Sequence, residues 1–90
     1  MMQGVQNPEL MHRADPLPEA MRERLLSLGY APHAASLLME GLPIVYAENG
    51  LVVEYPSGQR LQVQRHKEYE QGEFRRYHYE VVRELPPAPR

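Results

Sequence analysis

The chain reads as an α+β domain, with two short N-terminal helices packed on one face of a four-stranded antiparallel β-meander in the order α-α-β-β-β-β. Three observations predict this. Leu42 to Leu85 divides into four alternating runs, separated by Asn49-Gly50, Pro56-Ser57-Gly58 and Glu70-Gln71-Gly72. The two runs before it carry apolar residues at helical spacing. Each of those ends at a glycine, Gly29 and Gly41.

Residues 1–14 show no periodicity and contain Gly4, Asn7 and Pro8, so they read as a flexible leader that includes His12. A single domain is expected over 15–85. Asp15, followed by Pro16, Pro18 and Glu19, suits the start of a helix, because a cap oxygen, a proline and a negative charge all fit the orphan N–H end. That helix runs through Ala20–Leu28, with Met21, Leu25 and Leu28 on one face, and Gly29 ends it. A second helix spans Pro32 to about Glu40, with Ala34, Leu37 and Leu38 apolar. Gly41 stops it and Pro43 bars its continuation.

The turns predict the strand register. Asn49-Gly50 suits a two-residue type I′ loop, since both central residues need positive φ. It would pair Glu48 with Leu51, Tyr46 with Val53, and Ile44 with Tyr55. Pro56-Ser57-Gly58 suits a three-residue loop and pairs Tyr55 with Gln59, Val53 with Leu61, and Leu51 with Val63. Glu70-Gln71-Gly72, of the same form, pairs Arg65 with Tyr77, Val63 with Tyr79, and Leu61 with Val81. Side chains alternate across a sheet. One face is therefore expected to hold Ile44, Tyr46, Leu51, Val53, Tyr55, Leu61, Val63, Tyr77, Tyr79 and Val81, and the helices to cover it. The opposite face is expected to be exposed, with Val45, Val52, Glu54, Arg60, His66, Arg76 and His78, and with Glu54 set against Arg60 as a cross-strand ion pair. Pro86-Pro87-Ala88-Pro89-Arg90 cannot extend a ladder and reads as an exposed polyproline-like tail.

Composition excludes several functions. Ninety residues allow one small core. With no cysteine there is neither a disulfide framework nor thiolate chemistry, which fits a reducing cytoplasm. No apolar run is long enough to span a bilayer, so no membrane partner is expected. A net charge of −2 argues against non-specific attraction to nucleic acid. The four histidines show no ligand spacing, so no metal or other cofactor is expected. Neither a phosphate loop nor a nucleophile motif occurs, and no catalytic residue is assigned.

Gly41 to Gly58, GLPIVYAENGLVVEYPSG, resembles a segment of short bacterial proteins that runs G-[IL]-P-[IV]-V-Y-x-x-N-G and closes on E-[YF]-P-x-G. It covers about a fifth of the chain. The resemblance implies a bacterial source and no particular activity.

The expected function is that of a small non-catalytic protein-binding domain, of the inhibitor, antitoxin or immunity type. Its partner would be another protein, or a second copy through the first-strand edge. The binding residues expected are Ile44, Val45 and Tyr46 on that edge, which is short and apolar, with Arg65, His66, Arg76 and His78 on the polar sheet face. The alternative is an RNA-binding module built from Arg65, His66, Lys67, Arg75, Arg76 and His78, where cations and aromatics alternate as single-strand binding requires. Glu68, Glu70 and Glu73 offset much of that charge.

Overall fold

The structure, a computed structural model, describes residues 13–90. The order is α1 (Met21–Ser27), α2 (Pro32–Met39), β1 (Ile44–Ala47), β2 (Leu51–Glu54), β3 (Arg60–Glu70) and β4 (Glu73–Leu85). The strands form one antiparallel sheet in sequence order. The α-α-β-β-β-β meander expected from the sequence is the fold observed. No helix among the described residues is long and apolar enough to cross a membrane.

Both helices end as their glycines dictate. Gly29 N–H donates to Leu26 O and Tyr30 N–H to Leu25 O, and Gly41 N–H donates to Leu38 O and Leu42 N–H to Leu37 O. This paired pattern needs a left-handed residue, and Gly29 and Gly41 have φ of 101° and 92°. Gly41 is further constrained, because a Cβ there would lie 2.2 Å from Ala14 O. The start of α1 differs from expectation. Asp15 is not its cap; the helix begins at Met21, after Pro18 O has accepted from Met21 N–H. Pro18 disfavours helical backbone at Leu17. The preceding chain instead runs beside the end of α2, held by Ala14 N–H to Gly41 O and Leu17 N–H to Met39 O. Of the predicted leader, residues 1–12 with His12 lie outside the described residues, while Arg13 and Ala14 are tied to the domain.

The β2–β3 register is as expected, including Glu54 opposite Arg60. The other two hairpins exchange their loop lengths. At the first, Ala47 rather than Glu48 opposes Leu51, so Glu48-Asn49-Gly50 is a three-residue loop. At the third, Glu70 opposes Glu73, and Gln71 and Gly72, with φ of 55° and 84°, form the two-residue loop. A one-residue slip inverts a strand. Ile44 therefore pairs with Glu54 and Tyr46 with Val52, opposite in face to the expectation. In the third hairpin the shift is two residues over most of the strand, so faces are kept. Val63 opposes Val81, Arg65 opposes Tyr79, and His66 opposes His78 instead of Arg76.

This inversion decides where the core lies. Leu25, Ala35, Leu38, Met39 and Ile44 form one buried cluster, with Tyr30 and Tyr46 against it. The helices thus cover the Ile44, Tyr46, Val52 and Glu54 face. Val53 and Val63 anchor a second, smaller cluster on the opposite face, edged by Leu51, Tyr55, Leu61 and Tyr79. Ile44 and Tyr46 are covered as expected, but on β2, β3 and β4 the face expected beneath the helices, with Val53, Leu61, Val63 and Tyr79, is the one they leave.

Beyond Val63, β3 no longer pairs with β2 and pairs with β4, and the molecule is 49 Å long. Residues 64–80 form a two-stranded ribbon. The predicted tail also differs from expectation. Its prolines are exposed, but Ala88 N–H donates to Gly58 O and the Arg90 side chain is only 15% exposed.

Candidate functional site

Glu54 ends β2 with its side chain turned toward the helices, and it is 2% exposed. A buried carboxylate must be paired and hydrogen-bonded to persist. Three groups from distant parts of the chain meet this need. Tyr30, just past the end of α1, donates its hydroxyl to Oε2. Tyr46 on β1 donates to Oε1 at 2.8 Å. Arg90 brings Nη2 to 2.7 Å from Oε2. The cluster continues outward, because Arg60 Nη1 donates to Tyr46 Oη at 3.3 Å and to Glu48 Oε1 at 3.0 Å, and Arg60 Nε donates to Pro86 O. The expected Glu54–Arg60 ion pair is thus replaced: Glu54 pairs with Arg90 and Arg60 with Glu48.

Burial raises the hydroxyl pKa of both Tyr30 and Tyr46, and their bonds to the Glu54 carboxylate act in the same direction. Both remain donors at neutral pH. Burial lowers the Arg90 guanidinium, but its bonds to Glu54 and Tyr30 outweigh this and hold it above the ordinary value. The folded state therefore holds the tyrosine protons more tightly than the unfolded state does. Their contribution is fully present below pH 10.0, the unperturbed value, and is lost as pH rises through the folded values. The urea midpoint is expected to stay level up to about pH 10 and then fall. A midpoint unchanged at pH 11 would contradict the cluster.

Beside this cluster lies an open cleft of about 740 Å³. Its walls are Leu28, Tyr30, Ala31 and Ala34 from the α1–α2 connection and start of α2, Ile44 to Tyr46 on β1, and Pro87 to Pro89. Glu54, expected on an exposed sheet face, is buried and lines this cleft. The carboxylate's donors Tyr30, Tyr46 and Arg90 tie the α1–α2 connection, β1 and the last residues of the chain together.

The binding residues expected from sequence do not come together in one place. Ile44 is 8% exposed and belongs to the core, while the Tyr46 hydroxyl donates to Glu54; both lie on β1, which is an edge strand of the sheet. Val45 is exposed on the opposite face. His66, Arg76 and His78 share one ribbon face. The His66 and His78 rings stack at 5.0 Å, His66 Nε2 lies 3.0 Å from Glu80 and His78 Nδ1 2.8 Å from Glu68, and Arg76 Nε donates to Glu68 at 2.8 Å. The hydrogen bond from Arg76 holds the Glu68 carboxyl below the usual range. Arg65 and Lys67 lie on the other ribbon face, where Arg65 sits 4.5 Å above the Tyr77 ring. Arg75 is the extra residue of a bulge and pairs with Glu70. The six residues of the RNA reading are thus divided between both ribbon faces and the bulge.

That bulge has another effect. Residues three apart on a regular strand face opposite ways, yet the bulge brings Phe74 and Tyr77 into edge contact at 5.0 Å, with Tyr69 against Phe74 at 6.1 Å. All three rings are exposed. Among the described residues no group of three or more His, Asp or Glu could hold a metal ion.

Tyr30, Glu54 and Arg90 are the residues the sequence reading missed. The available signal was a lone carboxylate in the apolar run Leu51-Val52-Val53-Glu54-Tyr55. Comparison with family models, curated proteins and solved structures finds no match to this chain.

Proposed function

We propose that the protein is a small non-catalytic protein-binding domain, of the inhibitor, antitoxin or immunity type that its size and mild acidity suit. The observation that carries this reading is the exposed aromatic group of Tyr69, Phe74 and Tyr77 on a ribbon that no helix among the described residues covers. Exposed rings of this kind are the usual anchors of protein interfaces, and Arg65 over Tyr77 adds a cation at their margin. The paired charges on the opposite ribbon face support solubility while the aromatic face engages.

The test is affinity capture from extracts of the source cells with the unmodified chain and with F74S/Y77S, whose fold circular dichroism would check. A partner held by the unmodified chain and lost by the variant is expected. An identical set captured by both, or none by either, overturns the reading. A mobility shift with single-stranded RNA that R75E/R76E abolishes would favour the nucleic-acid alternative instead.

A further inference from the structure

Residues 86–90 are held as a ligand is held. Proline occupies 86, 87 and 89, fixing φ and removing donors. Ala88 has the one backbone N–H of 86–89, and it donates to Gly58 O at 2.8 Å. Gly58 has φ of 99°, and a Cβ there would lie 2.8 Å from Ala88 O, so the approach requires glycine. Arg90 then enters the Glu54 pocket. Its Nη2 reaches Glu54 Oε2 at 2.7 Å and Tyr55 O at 2.9 Å, its Nε reaches Pro56 O at 2.9 Å, and its Nη1 reaches Tyr30 Oη at 2.8 Å. The guanidinium also lies 5.3 Å from the Tyr30 ring centre. A planar fork used at this many points is specific to arginine. A proline-spaced segment loses little conformational freedom on docking, which is why aromatic-lined grooves select such segments.

We propose that the Glu54 pocket is a recognition site for an arginine-anchored, proline-spaced peptide segment, and that Pro86–Arg90 occupies it in cis. The site is separate from the ribbon aromatics, so failure of either reading leaves the other standing. A partner segment with Pro-x-Pro-Arg chemistry enters by displacing residues 86–90, and the adjoining cleft along Tyr30, Ala34 and Ile44 accommodates its flanking residues. Because the cis segment is tethered, its effective concentration is of millimolar order.

The test uses the full chain carrying R90A, with fluorescein-labelled Pro-Pro-Ala-Pro-Arg amide followed by anisotropy. The variant is expected to bind this peptide about tenfold or more tighter than the unmodified chain, whose site is occupied. Replacing the peptide's arginine by lysine, or adding E54Q to R90A, is expected to weaken binding about tenfold or more, since each breaks the fork-to-carboxylate contact. Equal binding by R90A and the unmodified chain, or indifference to the lysine peptide, overturns the proposal. Should R90A fail to fold, hydrogen exchange at the Ala88 amide of the unmodified chain decides instead. Millimolar peptide is expected to accelerate it, and unchanged exchange overturns the proposal.

Discussion

Glu54→Ala is expected to lower folding stability by about 3–5 kcal/mol, the loss that follows when one member of a buried ion pair is removed. The substitution strands Arg90 in its pocket and leaves the Tyr30 and Tyr46 hydroxyls without their acceptor. Small domains are stable by about 5–15 kcal/mol in total, so the variant should lie near its unfolding threshold at ordinary temperature. Glu54→Gln keeps the shape and one acceptor oxygen, and should cost less. Urea unfolding followed by circular dichroism measures both. A loss below about 1 kcal/mol for Glu54→Ala is what a solvated carboxylate would give, and would refute the buried cluster.

The second large effect concerns which side of the sheet holds the core. Leu38 is fully buried on α2 among Leu25, Ala35, Met39 and Ile44, so Leu38→Ala should cost about 2–5 kcal/mol through lost transfer energy and a residual cavity. Val53 is equally buried but sits in the smaller cluster on the opposite face, whose edges are open. Val53→Ala removes two carbons, so about 1.5 kcal/mol is expected. The comparison is diagnostic. A Val53→Ala loss exceeding that of Leu38→Ala would place the principal core on the Val53 face, where turn chemistry alone had put it.

The two hairpins show why turn chemistry was insufficient. Asn49-Gly50 is the stronger two-residue signal, and both residues do adopt positive φ. Yet Ala47 opposes Leu51, because that register carries Ile44 to Leu25 and Leu38 and carries the Tyr46 hydroxyl to Glu54. Burial of an isoleucine is worth about 1.5–3 kcal/mol, and a satisfied buried carboxylate adds to it. Together these exceed the preference for one loop length over another. At the third hairpin neither α1 nor α2 competes for either face, and Gln71-Gly72 takes the two-residue loop by local preference. The bulges that follow realign the strands and gather the exposed aromatics.

By itself the sequence determined the element order, the helix ends at Gly29 and Gly41, the β2–β3 register and the limit of β4 at Leu85. Each depends on residues close together in the chain: a glycine with the helical turn before it, a three-residue loop, a proline that has no N–H to donate. Only the tertiary structure decided which sheet face the helices cover, that Glu54 is buried, and that residues 86–90 fold back. Those outcomes depend on Tyr30, Tyr46, Glu54 and Arg90 meeting across as many as 60 positions. No local preference encodes that meeting. It follows from the requirement that a carboxylate taken out of water find its donors wherever the fold can bring them.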